Sequence, residues 1–239
     1  MLKPPGKSRF RYERELVQRG CTLIAGVDEA GRGPLAGPVV AAAVVFPCEW
    51  IANGLPRSLW GLNDSKQLTP EERDVYFAKL MSFTEIRYAI AWSDNTLIDE
   101  INILQATFRA MNDALAQLSP APLHVLIDGN QISSVHWAQT PVIDGDAKSY
   151  SIAAASVLAK VTRDRMMIEF DQRWPQYGFA AHKGYGTEQH LAALAAHGPC
   201  PLHRKSFAPM KPDAPLVPEL FEGVAIENAM ERSESRIVP

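Results

Sequence analysis

Short apolar runs that end near carboxylates alternate along this chain with longer segments of helical periodicity. Residues 22–28 form one such run, and the valine-rich run 38–46 follows a turn that contains glycine. Two runs around a glycine turn predict a β-hairpin, and their lack of polar alternation predicts burial on both faces. Three further strands are predicted over residues 85–92, 123–127 and 141–143.

Helical periodicity is strongest from residue 97 to residue 118, where apolar side chains recur at alternating steps of four and three. This spacing predicts a long helix that turns one apolar stripe toward the core. Another helix is predicted to begin at Thr69, because Pro70 suits a first turn and Glu72 completes a capping box. Further helices are predicted over residues 10–20, 150–173 and 187–198, and residues 47–67 are predicted to be a loop.

The order of the predicted elements is strand, strand, helix, strand, helix, strand, strand, helix, helix. This order predicts an α/β fold with a mixed five-stranded sheet flanked by helices, in which a long crossover leads to a parallel neighbour. Prolines and acidic residues gather after residue 209 while the periodicity fades. Residues 209–239 are therefore predicted to be a flexible tail, with one short helix over 224–232.

Composition limits the class of protein. Of the 239 residues, 46% are hydrophobic and 21% are charged, which excludes a wholly disordered or fibrous chain. The three cysteines are far apart and form no C-x-x-C pair, so we expect a reducing compartment rather than disulfides or structural zinc. The N-terminus is too charged for a signal peptide, and the longest uncharged stretch is too short for a membrane span. We therefore expect a cytoplasmic protein.

The net charge of −3 argues, for the chain as a whole, against a nucleic-acid binder. Residues 211–239 contain three basic and six acidic residues, so the rest of the chain is neutral. Residues 1–20 contain six basic and two acidic residues. Because a neutral body can carry a local basic groove, charge alone does not decide this question.

Carboxylates follow three of the predicted strands. Asp28 and Glu29 end the first strand, Asp128 ends the fourth, and Asp144 and Asp146 follow the fifth. Acidic groups at the ends of buried strands cost free energy unless a partner compensates them, and oxygen-only ligands select Mg²⁺ or Mn²⁺. The alternative is that these side chains form turns or cap helices. Their recurrence at three strand ends favours a divalent metal site.

Two glycines follow the first pair of carboxylates. Adjacent residues on a regular strand point to opposite faces, so we expect the chain to leave the strand between Asp28 and Glu29. Gly31 and Gly33 supply the flexibility for that exit, and on either side of Arg32 they also allow close approach to a phosphate or a sugar hydroxyl. A tight hairpin turn would need glycine as well, so both interpretations stay open.

Three further polar segments allow both a functional and a structural interpretation. Ser65 and Lys66 either contact phosphate or lie in a solvated loop. Tyr185, which lies between glycines, either stacks on a sugar or base or anchors its loop on the core. The basic patch over residues 203–207 is more typical of a solvated face than of a site. The six histidines show no metal-ligand spacing, and no serine or cysteine triad is supported.

Six motifs in this chain match, in order, the motifs of bacterial ribonuclease HII, which the chain resembles over residues 12–207. The first motif is long and specific, and the tail after residue 210 lies outside the resemblance. The matching stretches are Ala25-Gly26-Val27-Asp28-Glu29-Ala30-Gly31-Arg32-Gly33-Pro34-Leu35-Ala36-Gly37-Pro38-Val39, Asn63-Asp64-Ser65-Lys66, Ile127-Asp128-Gly129, Gly145-Asp146-Ala147-Lys148-Ser149, Ala159-Lys160-Val161-Thr162-Arg163-Asp164 and His182-Lys183-Gly184-Tyr185-Gly186.

The resemblance implies a ribonuclease H-like fold with a C-terminal helical extension, in which the first strand is central and the fourth lies beside it. Together with the composition of the two ends, it leads us to expect a basic N-terminal segment over residues 1–20, a ribonuclease H-like catalytic domain over 21–208 and a flexible tail over 209–239. It also implies two Mg²⁺ or Mn²⁺ ions held by four carboxylates, those of Asp28, Glu29, Asp128 and Asp146. Because Asp144 lies two residues from Asp146, either could supply the fourth ligand.

The resemblance also implies how substrate is bound and cut. The turn of Gly31, Arg32 and Gly33 would read the ribonucleotide 2′-hydroxyl. Tyr185 would stack on the following sugar, while Ser65 and Lys66 would hold phosphates. The implied enzyme is an endoribonuclease that cuts RNA/DNA hybrids and single ribonucleotides in duplex DNA. It would cut 5′ to the ribonucleotide by two-metal-ion hydrolysis and leave 5′-phosphate and 3′-hydroxyl ends. We expect a monomer, and a replication or transcription partner is left open.

Three rival interpretations stay open from the sequence. The first is another metal nuclease on the same fold, such as a ribonuclease HIII or a junction resolvase, although few residues precede the first strand here. The second is a hybrid-binding module without turnover, which the presence of all four carboxylates opposes. The third is a phosphate-binding α/β protein of unrelated function.

Overall fold

The computed structural model describes residues 7–129 and 137–210. Within them the chain forms a five-stranded mixed sheet of order β3-β2-β1-β4-β5. The strands are β1 (Ile24–Ala30), β2 (Val39–Val45), β3 (Arg87–Ser93), β4 (His124–Asp128) and β5 (Gln139–Val142). β2 pairs antiparallel with β1 and β3, while β4 pairs parallel with β1 and β5. The hairpin and the mixed five-stranded sheet are thus confirmed, and every residue of β2 is buried.

The described residues form eight α-helices around this sheet. They are α1 (Arg11–Gln18), α2 (Cys48–Asn53), α3 (Pro70–Ser82), α4 (Asn95–Ala116), α5 (Gly145–Lys148), α6 (Tyr150–Arg173), α7 (Phe179–His182) and α8 (Glu188–His197). The predicted helices α1, α3, α4, α6 and α8 are confirmed, and α3 begins with the predicted capping box on Thr69.

The prediction of a plain loop over residues 47–67 was wrong. Helix α2 lies there, because extended Pro47 begins it and Gly54, at φ +105°, ends it. Buried Ile51 anchors the helix on the core. Two 3₁₀ turns follow, at Arg57–Leu59 and Ser65–Gln67.

Helix α4 follows the predicted apolar stripe only in its second half. Asn102 leaves the helical conformation at φ +67°, and its side chain accepts hydrogen bonds from the N–H groups of Leu104 and Gln105. Asn102 therefore caps a second helical segment within α4. Met111 and Leu115 are buried as expected, whereas Leu104 is 42% exposed.

Helix α6 crosses the centre of the sheet and packs on β1 and β2. Its buried alanines allow close contact, and Gly26 of β1 lies directly beneath it. A Cβ atom at Gly26 would lie 2.2 Å from the backbone carbon of Ser151, so only glycine fits. This approach sets the distance between α6 and the strand that carries Asp28.

The segment before β1 is anchored to residues 146–151, which lie far from it in sequence. Arg9 donates from Nη2 to the carbonyl oxygen of Asp146 at 2.7 Å. Glu13 is fully buried and accepts hydrogen bonds from the Ser149 hydroxyl at 2.6 Å and the Ser151 N–H at 3.2 Å. Residues 7–18 thus brace the start of α6 and the loop that carries Asp146.

Two further predictions concern the C-terminal tail and membrane-spanning segments. The tail after residue 210, with its predicted helix over 224–232, lies outside the described residues. Within the described part, no helix has the length and apolarity needed to cross a lipid bilayer.

Candidate active site

Three carboxylates from separate parts of the chain meet at one edge of the sheet. Oxygen atoms of Asp28, Asp128 and Asp146 lie within 4.8 Å of one another, and this is the one such acidic group among the described residues. The parallel neighbours β1 and β4 bring the first two together, and α5, after β5, supplies the third. Asp28 and Asp146 are both 4% exposed.

Glu29 lies beside this cluster rather than in it. Its Oε1 accepts a hydrogen bond from Arg32 Nη1 at 3.4 Å, and it lines the same cavity of about 230 Å³ as Asp28 and Asp128. The expected exit from the strand between Asp28 and Glu29 was wrong, because β1 continues to Ala30. Pairing with β4 ends at Val27, so the last residues of β1 are open on that side and both carboxylates reach the cavity.

The cluster is electrostatically strained in the absence of a cation. Burial raises the pKa of Asp28 well above its ordinary value, and the charges of Glu29 and Asp128 raise it further. Burial also raises the pKa of Asp128, with a contribution from Asp146. Burial raises the pKa of Glu29 although Arg32 opposes the shift. Buried, mutually repelling oxygen ligands fit a hard divalent cation, which would relieve both costs.

Backbone groups orient two of these carboxylates. Asp128 Oδ1 accepts a hydrogen bond from the Gly145 N–H at 2.6 Å, which ties the end of β4 to the start of α5. Asp146 Oδ1 accepts from the Ala147 N–H at 2.9 Å, and its Oδ2 lies 3.2 Å from Lys66 Nζ. These hydrogen bonds orient the side chains of Asp128 and Asp146 within the cluster.

Asp144 and Asp146 have different surroundings. The Asp144 side chain is 73% exposed and faces Lys148, at 3.5 Å between Oδ2 and Nζ. The backbone of Asp144 is left-handed, at φ +52°, and this turn directs the chain into α5. Only Asp146 reaches the cluster.

Sequence reasoning overlooked Asp64 as a neighbour of this cluster. Its side chain is 7% exposed, accepts a hydrogen bond from the Lys66 N–H at 2.9 Å, and contacts Asp146. Burial raises the pKa of Asp64, and Asp146 adds to the rise. The sequence signal that could have identified Asp64 was its position in the same motif as Ser65 and Lys66.

Ser65 and Lys66 differ in their exposure. The Ser65 hydroxyl is buried and lies 2.7 Å from the Ser156 hydroxyl, which fastens its loop to α6. The Lys66 side chain is 76% exposed and ends at Asp146. Ser156 and Lys160 of α6 also line the cavity. Lys160 belongs to the matching motif over residues 159–164, for which the sequence alone predicted no role.

The glycine turn and Tyr185 line the same cavity as Asp28, Glu29 and Asp128. Gly31 has φ +100°, and a Cβ atom there would lie 2.1 Å from Arg163 Nε, so the position requires glycine. A Cβ atom at Gly33 would lie 3.6 Å from the ring of Tyr185, which is 46% exposed. The structure thus brings together Gly31, Arg32, Gly33 and Tyr185.

The prediction of a solvated face over residues 203–207 holds for Lys205 and Ser206, which are exposed, and is wrong for His203 and Arg204. His203 is 1% exposed and Arg204 is fully buried, because Arg204 finds carbonyl partners in the glycine turn. His203 Nε2 lies 3.0 Å from His190 Nε2, and His190 Nδ1 lies 2.8 Å from the carbonyl oxygen of Tyr185. A buried histidine layer therefore supports the loop that presents Tyr185.

This layer predicts a loss of stability in acid. Burial lowers the pKa of His190 to about 4, and the neighbouring His182 and His203 add to the shift. The unfolded chain binds this proton near pH 6.5, so stability is lost as the pH falls from 6.5 toward 4. We expect urea denaturation at pH 4.5 and pH 7 to show that His190→Gln removes about 2 kcal/mol of the acid loss. If the wild-type protein and His190→Gln lost the same stability between pH 7 and pH 4.5, His190 would not be the source of the acid sensitivity.

A ribonuclease H-like sheet with acidic residues gathered at adjoining strand ends defines a class of metal-dependent nucleases. The sequence matches the family described as Ribonuclease HII over residues 25–210. It is 53% identical over 196 residues to ribonuclease HII of Ruminiclostridium cellulolyticum, covering 82% of this chain and 74% of that protein. It is 48% identical over 202 residues to ribonuclease HII of Endomicrobium trichonymphae, covering 84% and 92%.

Among solved structures, the fold is similar to that of ribonuclease H2 from Pyrococcus horikoshii OT3. The TM-score is 0.65 at 28% identity, over 78% of this chain and 94% of that one. The chain belongs to the ribonuclease HII family. The expected family and fold class are confirmed, and the protein is a metal-dependent ribonuclease that cleaves RNA in RNA/DNA hybrids.

Proposed function

We propose that this enzyme also cuts duplex DNA at single embedded ribonucleotides, on the 5′ side of the ribonucleotide, and leaves 5′-phosphate and 3′-hydroxyl ends. The observation that supports this proposal most directly is that one small cavity brings carboxylates together with a glycine turn and an exposed tyrosine. Such a cavity combines ligands for a cation with groups suited to a ribose, and only the 2′-hydroxyl distinguishes RNA from DNA there.

Asp28, Asp128 and Asp146 are the residues that would hold divalent ions, with Glu29 as the fourth carboxylate. Two bound Mg²⁺ or Mn²⁺ ions would supply charge stabilisation at the scissile phosphate and a water of lowered pKa. The buried oxygen-only donor set supports this assignment, because thiolate and imidazole ligands are absent from the acidic group found among the described residues. The exposed Asp144 has no part in it.

Two cationic side chains partly neutralise the carboxylates of the site. Lys66 lies on Asp146, and Arg32 lies near Glu29, so two carboxylates have a positive group within 3.4 Å. Both cations are largely exposed and can also meet the phosphates of a bound strand. Phosphate contacts of this kind position a duplex without reading its sequence.

Substrate selection is assigned to the turn of Gly31, Arg32 and Gly33, whose backbone would meet the 2′-hydroxyl. Tyr185, across from Gly33, would stack on the sugar of the following nucleotide. Lys66 would hold phosphate with its ammonium group. Ser65 would help indirectly, by holding the loop that carries Lys66 in place, because its hydroxyl is hydrogen-bonded to the Ser156 hydroxyl.

The direct test is incubation with a labelled duplex that contains one ribonucleotide, with and without Mn²⁺. We expect a single cut 5′ to the ribonucleotide, only with the metal, while an all-DNA duplex of the same sequence stays intact. The fragment ends are checked by phosphatase and ligase treatment. A ribonucleotide duplex left intact, alongside cleavage of a four-way junction, would favour a resolvase and overturn the proposal.

Gly33→Val is expected to reduce ribonucleotide selectivity more than Lys66→Ala. A valine side chain would fill the gap between the turn and Tyr185, where the ribose is placed, whereas Lys66→Ala removes a contact to phosphate. The measurement is kcat/KM on duplexes with one ribonucleotide and on long hybrids, with the ratio compared between variants. If both variants lost activity equally on every substrate, the turn would not be a selectivity element.

The same proposal includes a monomeric cytoplasmic enzyme with domain limits at 1–20, 21–208 and 209–239. Arg9 and Glu13 brace the catalytic domain, so the first segment is expected to be required for its stability. A replication or transcription partner stays a prediction without an assigned surface. Light scattering of the purified chain tests the monomer.

A further inference from the structure

We propose that Arg204 is a positioning residue for substrate selection, which aims the N–H groups of the glycine turn at the ribonucleotide. This inference rests on the proposed function and extends it to a residue on the C-terminal side of the domain. It starts from the buried part of the basic patch, which the cluster of carboxylates does not involve.

The guanidinium of Arg204 is bonded to backbone alone. Its Nη2 donates to the carbonyl oxygens of Gly31 at 2.6 Å and Gly37 at 2.9 Å. Its Nη1 donates to the carbonyl oxygen of Arg32 at 3.0 Å, and its Nε donates to that of Gly37 at 3.0 Å. One planar group therefore holds three carbonyls, two of them in the turn assigned to the 2′-hydroxyl.

These bonds determine where the N–H groups of the turn point. The peptide bonds that join Gly31, Arg32 and Gly33 are trans, so each carbonyl is opposed to the N–H of the next residue. With the Gly31 and Arg32 carbonyls held by Arg204, the N–H groups of Arg32 and Gly33 point away from it. Neither N–H donates a hydrogen bond to any described residue. Two donors are thus left free at the cavity that the turn lines.

Arg204 is buried without a paired carboxylate. No ion pair within 4.0 Å joins it to an acidic side chain in the described part of the chain. Burial lowers its pKa to about 9, and the nearby charge of Arg163 adds to the effect. A buried cation costs free energy that a neutral side chain would avoid. The position therefore needs the donor geometry of arginine more than it needs its charge.

The patch around Arg204 is itself fixed in place. The Arg204 N–H donates to the Leu35 carbonyl at 2.9 Å, and the Gly37 N–H donates to the Leu202 carbonyl at 2.9 Å. Phe207 lies against the guanidinium, with its ring centre 5.0 Å from Cζ. Arg163 holds the neighbouring carbonyls of Ala36 and Pro38 in the same way. The turn is thus set by buried arginines before substrate arrives, which favours selective binding.

The test compares two dissociation constants in the full-length chain carrying Asp128→Asn, which is expected to bind without cutting. One duplex contains a single ribonucleotide and the other is all DNA of the same sequence. Adding Arg204→Lys keeps the charge but cannot reach three carbonyls, and we expect it to reduce the preference for the ribonucleotide by about tenfold. Affinity for the all-DNA duplex is expected to stay within about twofold.

Tyr177→Phe is the matched control for lost stability. It removes the hydrogen bond from the Tyr177 hydroxyl to the Gly198 carbonyl, 2.7 Å long, in the layer that packs on His203. We expect a lower Tm and an unchanged preference for the ribonucleotide duplex. An unchanged preference in the Arg204→Lys protein, or an equal loss in Tyr177→Phe, would overturn the role of Arg204.

A second measurement covers the case in which Arg204→Lys does not fold. In the Asp128→Asn chain, the amides of Arg32 and Gly33 should exchange rapidly when free and gain more protection from the ribonucleotide duplex than from all-DNA duplex. Slow exchange in the free protein would overturn the inference. If the wild-type enzyme cuts at a single ribonucleotide while these amides stay unaffected, the proposed cleavage holds. Substrate selection by the turn and the role of Arg204 then both fail.

Discussion

Asp128→Asn should lower cleavage of a ribonucleotide-containing duplex by more than about 100-fold while binding of that duplex stays within a few-fold. The substitution keeps the shape of the side chain, and the amide oxygen can still accept the Gly145 N–H that Asp128 Oδ1 accepts at 2.6 Å. What it removes is the negative charge and one ligand oxygen of the acidic cluster. Single-turnover cleavage and equilibrium binding separate the two effects.

The Asp128→Asn variant should also have a higher free energy of unfolding in the absence of divalent metal. Burial raises the pKa of Asp28, and the charge of Asp128 contributes to that rise, so removing this charge relieves repulsion in the apo protein.

Asp144→Asn is the matched control for the loss of turnover, because Asp144 has an exposed side chain two residues before Asp146 and outside the cluster. Unchanged turnover in Asp128→Asn, or an equal loss in Asp144→Asn, would refute the metal assignment.

Gly26→Ala should destabilise the fold by about 3 kcal/mol or more, the largest effect on stability that we expect from a single methyl group. The added Cβ would lie 2.2 Å from the Ser151 carbon and 2.4 Å from the Ile152 nitrogen. Both are backbone atoms at the start of α6, so no side chain can move aside to relieve the contact. Helix α6 would have to shift from β1, and the cavity between them would change shape.

Gly33→Ala is the control for this prediction. The Cβ there would meet only the Tyr185 ring at 3.6 Å, an ordinary contact, so we expect a change within about 0.5 kcal/mol. Urea denaturation of both variants at one pH measures the difference. Comparable stability of the two variants would show that α6 and β1 are not held at the distance seen in the structure.

Local patterns predicted most of this fold, because strands and capped helices follow from the spacing of apolar residues and from caps. The Thr69 capping box is an example, since every group that forms it lies within four residues. The bend at Asn102 could not be predicted in this way. It depends on a side chain that leaves the helix and caps the next segment, and the apolar spacing runs through it without interruption.

The carboxylate cluster could be predicted in composition but not in geometry. The ends of the strands indicated Asp28, Asp128 and Asp146, whereas the choice of Asp146 over Asp144 depends on a left-handed residue at the start of α5. Arg204 could not be recognised at all. Its partners Gly31 and Arg32 lie more than 170 positions earlier in the chain, and a run of basic residues normally indicates exposure.

The bracing contacts of Arg9 and Glu13 link the order of translation to the assembly of the acidic cluster. Arg9 is separated by 137 positions from Asp146, and Glu13 by 136 positions from Ser149. The ribosome therefore makes both ends of these contacts far apart in time, and the early segment waits for α5 and α6 to emerge. A nascent chain has no assembled acidic cluster until residue 146, well past the middle of the chain, has been synthesised.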